Sequence, residues 1–215
     1  LLFEEMPLLK IKIGSDPEGD NDPKKMLDWD KNRFAEIHKI ADEYQTPYTK
    51  DGKIHYYLDA NGRYQTRAQL EEFLSFAKEI GALDQIELFE EPFSEENKID
   101  VSGLPVLIVA DESAHSVEDV LERIELGYGA IALKPIAKTL SVSLQMLAVC
   151  REKNIPVFCA DLTVNPLMVE INKNVAARLS PLPKMKIGAM ESNGMQNYAH
   201  WEQMGYLHPM GFANF

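Results

Sequence analysis

Short apolar runs alternate with longer amphipathic stretches along the whole chain, a pattern that predicts parallel β-strands joined by crossover helices. Seven runs read as strands, over residues 8–13, 54–59, 86–90, 106–110, 130–134, 157–160 and 186–190. Between them apolar positions recur at helical spacing. Leu70, Phe73, Leu74 and Ala77 share one face of 67–80, and Val120, Leu121 and Ile124 share one face of 117–125. Turn residues mark the same boundaries: Asp51-Gly52 precedes the second run, Gly81 ends a helix, and Gly127 and Gly129 precede the fifth run. No linker divides the chain, so residues 1–215 are expected to form one α/β domain, a TIM-type (β/α) barrel with seven recognisable units. Seven strands cannot close an eight-stranded barrel, and an open parallel sheet exposes raw edges. A further strand and helix are therefore expected immediately before Leu1.

The ends of these runs carry the chemistry. Lys10 and Lys12 close the first, Asp59 and Asn61 the second, Glu90 the third, Asp111 and Glu112 the fourth, and Lys134 the fifth. A barrel gathers the carboxyl ends of its strands at one rim, so these residues are expected to converge there. Strand alternation puts Lys10 and Lys12 on one face and Leu9, Ile11 and Ile13 on the other, which directs both amines into the barrel. Taken alone, a Lys-x-Lys pair is ordinarily a solvated edge, and an acidic residue at a strand end is ordinarily a helix cap. Three carboxylates on successive strands, facing lysines, fit neither reading. They would repel one another without a cation, and an all-oxygen shell suits Mg²⁺, with Mn²⁺ as a substitute. Lys134 shares its face with Ala130 and Ala132, small residues that leave room for a cavity, and neighbouring cationic charge is expected to depress its pKa.

Other polar residues carry weaker signals. Asp161, Thr163 and Asn165 follow the sixth run, and Glu191, Ser192 and Asn193 follow the seventh, where a substrate could be touched. His55 and Tyr57 share the face of Asp59 but lie deeper, which reads as interior packing with satisfied polar ends. His38, His115, His200 and His208 follow no ligand spacing. The acidic loop 15–23 lacks the glutamate that closes a calcium-binding EF-hand loop and reads as a solvated loop.

Composition narrows the class. Hydrophobic residues make up 45% and charged residues 26%, as in an ordinary soluble domain, and no apolar run approaches the ~18 residues of a membrane span. A net charge of −12 opposes phosphate backbones, so neither nucleic acid nor membrane is an expected partner. Cys150 and Cys159 form neither a disulfide framework nor a zinc pattern, and no secretion signal opens the chain; a cytoplasmic setting is expected.

The series Lys-x-Lys, Asp-x-Asn, Glu-x-Pro, Asp-Glu and Lys at successive strand ends resembles the enolase superfamily, within it the muconate lactonizing enzyme subgroup, and the chain resembles the mandelate racemase/muconate lactonizing enzyme C-terminal barrel domain. The match runs in order from Lys10 to Lys134. The resemblance implies that Asp59, Glu90 and Asp111 hold Mg²⁺, that Lys12 and Lys134 are acid/base groups on opposite faces of the substrate, that Lys10 assists Lys12, and that Asn61 and Glu112 support them from behind. It also implies an amino-terminal α+β capping domain, absent from this sequence, and common homo-oligomerisation; the chain would then be a catalytic barrel domain incomplete at its amino end. Two departures stand out. Lys138-Thr139-Leu140 replaces a glycine pair, and Glu191-Ser192-Asn193-Gly194 lacks the Asp-x-Asp motif of many dipeptide epimerases.

The activity so implied is removal of the proton α to the carboxylate of a small-molecule substrate through an enediolate, leading to racemisation or epimerisation, or to cycloisomerisation or elimination. Two rivals stand beside this isomerase or lyase reading. One is a Schiff-base aldolase using an interior lysine. The other is a degenerate, non-catalytic barrel serving as a binding or assembly module.

Overall fold

A computed structural model describes residues 6–160 and 163–206. Six strands form one parallel sheet in chain order: β1 (Leu8–Lys12), β2 (His55–Asp59), β3 (Ile86–Glu90), β4 (Leu107–Ala110), β5 (Ala130–Leu133) and β6 (Val157–Cys159). Their bounds lie within one residue or so of the apolar runs. Helices α1 (Pro23–Ala41), α2 (Arg67–Glu79), α3 (Val117–Glu125), α4 (Leu140–Glu152) and α5 (Pro166–Ala176) alternate with the strands, and the short α6 (Gly194–Asn197) and α7 (Trp201–Gly205) follow. The helix starts are capped by local chemistry. Asp22 accepts from Lys24 N and Lys25 N ahead of Pro23, Thr66 accepts from Gln69 N, and Ser116 with Asp119 forms a reciprocal capping box.

The alternation of each strand divides the core in two. Outward residues such as Ile11, Tyr56, Leu58, Phe89, Ile108, Ile131 and Cys159 pack with the helices. Inward residues, among them Tyr57, Leu88, Val109, Ala130, Ala132, Phe158 and Ala160, form a second cluster inside the curve of the sheet. The sheet is rolled, because the Lys10 amine on β1 lies 2.9 Å from Glu191, whose backbone N–H is bonded to Cys159 of β6.

The seventh unit does not form as expected. Of the run 186–190, only Met190 bridges to Cys159 among the described residues. The start of the run is held instead by the loop before β2: Met185 bridges antiparallel to Thr49, and Lys186 N donates to Tyr48 O. The expectation of a preceding strand, and of a cap, falls outside the described residues. The loop 15–23 is held by its own groups, with Asp16 accepting from Gly19 N and Asn21 N, and with Lys25 reaching Glu18 and Asp20 at 2.5 and 2.6 Å. No described helix is long and apolar enough to cross a membrane.

The pairing of β2 with β3 skips one residue: Tyr56 faces Ile86 and Tyr57 faces Leu88, which leaves Glu87 as the extra residue. Glu87 is only 2% exposed. Its Oε1 accepts from Lys184 N at 3.1 Å, while its Oε2 finds no partner among the described residues. Burial raises its pKa above the ordinary glutamate value, against the pull of Lys184, His55 and Lys50. A native value above the unfolded one means that the folded protein binds more protons between the two. The contribution to stability is therefore greatest below the unfolded value near 4.5 and declines as pH rises through the raised value. Glu87→Gln should thus match the wild type in acid and exceed it at neutral pH in denaturant melts. Parallel stability curves for the two proteins would contradict this account.

Candidate active site

Register, more than any single contact, assembles the rim. Lys12 stands beside Asp59 on the neighbouring strand, and Asp59 beside Glu90 on the next; one layer deeper, Lys10 pairs with Tyr57 and Tyr57 with Leu88. Asp111 and Lys134 lie just beyond β4 and β5, on the inward phase of their strands. Glu91 sets the Asp111 loop. It is buried, with φ near 35°, and its Oε1 accepts from Asp111 N at 2.7 Å, Ser113 N at 2.8 Å and Ser113 Oγ at 2.6 Å. Burial raises its pKa against those three donors.

Two lysine–carboxylate groups face each other across the rim. On one side the Lys10 amine lies 3.0 Å from both Asp59 Oδ2 and Glu90 Oε2 and 2.9 Å from Glu191 Oε2. It also donates to the Tyr57 hydroxyl at 3.1 Å and sits 4.3 Å from that ring's centre. Lys12 pairs with Asp59 and donates to Asn61 Oδ1 at 2.9 Å. On the other side Lys134 pairs with Asp111 and lies 3.8 Å from Glu112. Lys138 donates to the Asp111 carbonyl at 2.6 Å and lies 3.3 Å from Asp111 Oδ1.

These contacts move the titrations. Burial would lower Lys10, but Glu90, Asp59 and Glu191 outweigh it and hold the amine firmly protonated. Burial likewise pulls Lys134 down and is outweighed, chiefly by Asp111, so its pKa rises. The expected depression of Lys134 is therefore reversed, because the charges of Asp111, Glu112 and Glu90 outweigh its burial. Lys138, more deeply set, is lowered by burial. Burial pushes Glu90 well above the carboxylate range despite Lys10, with Asp59 and Asp111 adding to the shift. Asp111 goes the other way: burial raises it, but its hydrogen bond with Glu90 and the charges of Lys134 and Lys138 leave it below its ordinary value.

A divalent ion fits the donor set. Glu90, Asp111 and Glu112 each offer a carboxylate oxygen within 4.8 Å of the others, a spacing that hard cations with ligands at about 2.0–2.6 Å can bridge. Asp59 flanks this group, with Lys10 and Lys12 on its Oδ2 and Asn61 N donating to its Oδ1 at 3.0 Å.

The remaining expected residues divide. Lys12 reaches the rim but not the interior, with its side chain 56% exposed against 19% for Lys10. Glu191 joins the site through Lys10. Asn165 caps α5, accepting from Met168 N; the Thr163 carbonyl accepts from the Tyr198 hydroxyl; and the Asn193 carbonyl accepts from Gln196 N. Asp161 and His208 lie outside the described residues. His55 is packed as expected but not fully satisfied, with Nε2 on Asp51 at 3.0 Å and Nδ1 lacking a partner among the described residues.

Three members of the site escaped the reading of strand ends. Tyr57 bonds to both Glu90 and Lys10, and period-two alternation already placed it on their face. Glu91 and Lys138 depend on turn geometry and leave no such signal.

A family model described as "Enolase C-terminal domain-like" matches residues 4–203. No curated protein matches the chain. Among solved structures, a mandelate racemase/muconate lactonizing protein from Herpetosiphon aurantiacus is 19% identical and superposes with a TM-score of 0.72, covering 92% of this chain and 50% of its own. A dipeptide epimerase from Cytophaga hutchinsonii, complexed with Mg and the dipeptide D-Ala-L-Val, is 18% identical with a TM-score of 0.66, over 90% of this chain and 46% of its own. A muconate lactonizing enzyme from Klebsiella pneumoniae is 19% identical with a TM-score of 0.63, over 86% and 48%. The chain thus spans about half the length of these neighbours, whose likeness establishes the fold.

Proposed function

Since the chain belongs to the enolase C-terminal domain-like family, we propose that it is the barrel of an isomerase or lyase that removes the proton α to a carboxylate. Two lysine groups on opposite sides of one carboxylate cluster carry this reading: Lys12 with Lys10 on the Asp59 and Glu90 side, and Lys134 on the Asp111 side. Glu90 and Asp111 would hold Mg²⁺, with Asp59 and Glu112 as flanking carboxylates. When bound, such an ion supplies Lewis-acid stabilisation of charge that develops on the substrate carboxylate, worth several kcal/mol.

The chain's own groups do the rest. Lys12, at the exposed rim and held by Asp59 and Asn61, stands where it can take or return a proton on one face of the substrate. Lys134, held as an ammonium by Asp111, delivers a proton on the other, and it acts as a base only once that pairing is loosened. Lys10 is already committed to three carboxylates and the Tyr57 hydroxyl, so its part is to fix Asp59 and Glu90 and to present positive charge beneath Lys12. Two bases favour racemisation or epimerisation over a one-base lyase or cycloisomerase.

The substrate class is a small carboxylate. A capping domain over the rim and a homo-oligomeric state belong to the same proposal. So does a cytoplasmic location, on the ground that Cys150 and Cys159 are buried and unbonded. Stripping metal from the full natural chain should abolish exchange of the α-proton of dipeptides, N-acyl amino acids or acid sugars in deuterated water, as read by NMR, and Mg²⁺ should restore it. Exchange that persists in excess chelator would overturn the proposal.

A further inference from the structure

Lys138 lies outside the machinery assigned above, yet it is the most deeply set amine of the site, with its side chain 8% exposed. It belongs to no strand. A backbone bond from Lys138 N to Lys134 O at 2.8 Å closes a tight turn after β5, and this turn brings the side chain of residue 138 back over the rim. The next residue, Thr139, has φ 67° and ψ 150°, a conformation that essentially only glycine adopts without strain. Here, where the resemblance leads one to expect glycines, the backbone instead carries a β-branched residue and aims a lysine inward.

That amine lands on Asp111. It donates to the main-chain oxygen at 2.6 Å and lies 3.3 Å from Oδ1, while Lys134 takes Oδ2. Both carboxylate oxygens are thus covered by ammonium groups. The same carboxylate supplies one corner of the Glu90, Asp111 and Glu112 group. A divalent ion held there must share Asp111 with two cations in a poorly solvated site, where charge repulsion is weakly screened.

Building on the reading that Glu90 and Asp111 hold a divalent cation, we propose that Lys138 is an internal counter-cation for Asp111. It neutralises the site while the metal is away and competes with the metal for the same carboxylate. Lys138 thereby sets the metal affinity low, so that occupancy follows the free metal concentration. A purely structural anchor for the 111–113 loop predicts the opposite sign, because its removal would loosen Asp111 and weaken binding.

The test is titration of Mg²⁺ by calorimetry, and of Mn²⁺ by the loss of its free paramagnetic signal, into the metal-stripped full natural chain. Wild type, Lys138→Met, Lys138→Gln and Glu90→Gln are compared. The two Lys138 variants should bind about tenfold or more tightly than wild type, while Glu90→Gln binds more weakly. The glutamine variant keeps a donor for the Asp111 carbonyl and serves where the methionine variant fails to fold. Equal or weaker binding by both Lys138 variants, with binding still lost in Glu90→Gln, overturns the role of Lys138 and leaves the metal reading intact. Absence of binding in every protein overturns the metal reading and this inference with it.

Discussion

Lys134→Ala in the full natural chain should lower interconversion of substrate enantiomers or epimers by about 10²- to 10⁴-fold, the usual contribution of a positioned acid or base. The loss should be one-sided. With Lys134 gone, Lys12 still faces the substrate from the other direction, so α-proton exchange into deuterated water should survive for one stereoisomer and vanish for its mirror form. Lys12→Ala should show the reverse selectivity. Lys134→Arg is a useful companion, because a guanidinium keeps the ion pair with Asp111 but does not give up its proton at working pH. It should resemble alanine in exchange and wild type in melting temperature. NMR exchange on separated stereoisomers reads both variants, and undiminished exchange of both isomers in both alanine variants would rule out the two-base assignment.

Phe73→Ala should have the largest effect on stability, about 3–5 kcal/mol, through lost apolar burial and the cavity left behind. Phe73 is fully buried on α2. Its ring lies 5.4 Å from Phe34 of α1, 5.9 Å from Phe89 of β3 and 6.5 Å from Tyr64. Four rings from four chain segments therefore meet around one side chain, and none can collapse into the space without dragging its own element along. For a chain of this size each kcal/mol moves the melting temperature by about 2–4 °C. Leu144→Ala, on an exposed face at 49% exposure, should change stability by under about 0.5 kcal/mol. Denaturant melts compare the two directly. The Phe73 variant should also weaken metal binding, because Phe89 precedes Glu90 on the same strand.

Much of this architecture is visible in the residues themselves. Strand 130–134 is buried on both faces and wholly apolar until the position where the chain reaches the rim, and strand 86–90 departs from that pattern only at Glu87. That abrupt change, from Leu88-Phe89 to Glu90 or from Ala132-Leu133 to Lys134, marks both a boundary and a function. The run 186–190 also carries apolar residues up to a rim glutamate but does not share the same fate. Its neighbours in space, Tyr48 and Thr49, claim its flank through contacts that local pattern cannot encode. The β2–β3 slip that buries Glu87 is equally invisible, because register is a property of two strands together. Lys134 was expected to be partly neutral on the strength of neighbouring lysines. Its contact with Asp111 on the neighbouring strand decides otherwise, and a contact between two strands is not written in either segment alone. Lys138 shows the same limit, as its turn brings back to the rim a residue that composition would assign to the surface.

Spatial order in the sheet is identical to order in the chain, each strand lying beside the one made just before it. No strand has to wait for a distant partner, so a nascent polypeptide leaving the ribosome can lay down one βα step after another against an existing template. The lysine pair and Asp59 would then meet while Lys134 is still unsynthesised, and the acid–base apparatus would be completed from its carboxyl-terminal side. A translational pause once residue 90 has emerged from the ribosome should consequently yield an intermediate already protected from hydrogen exchange in its first three strands.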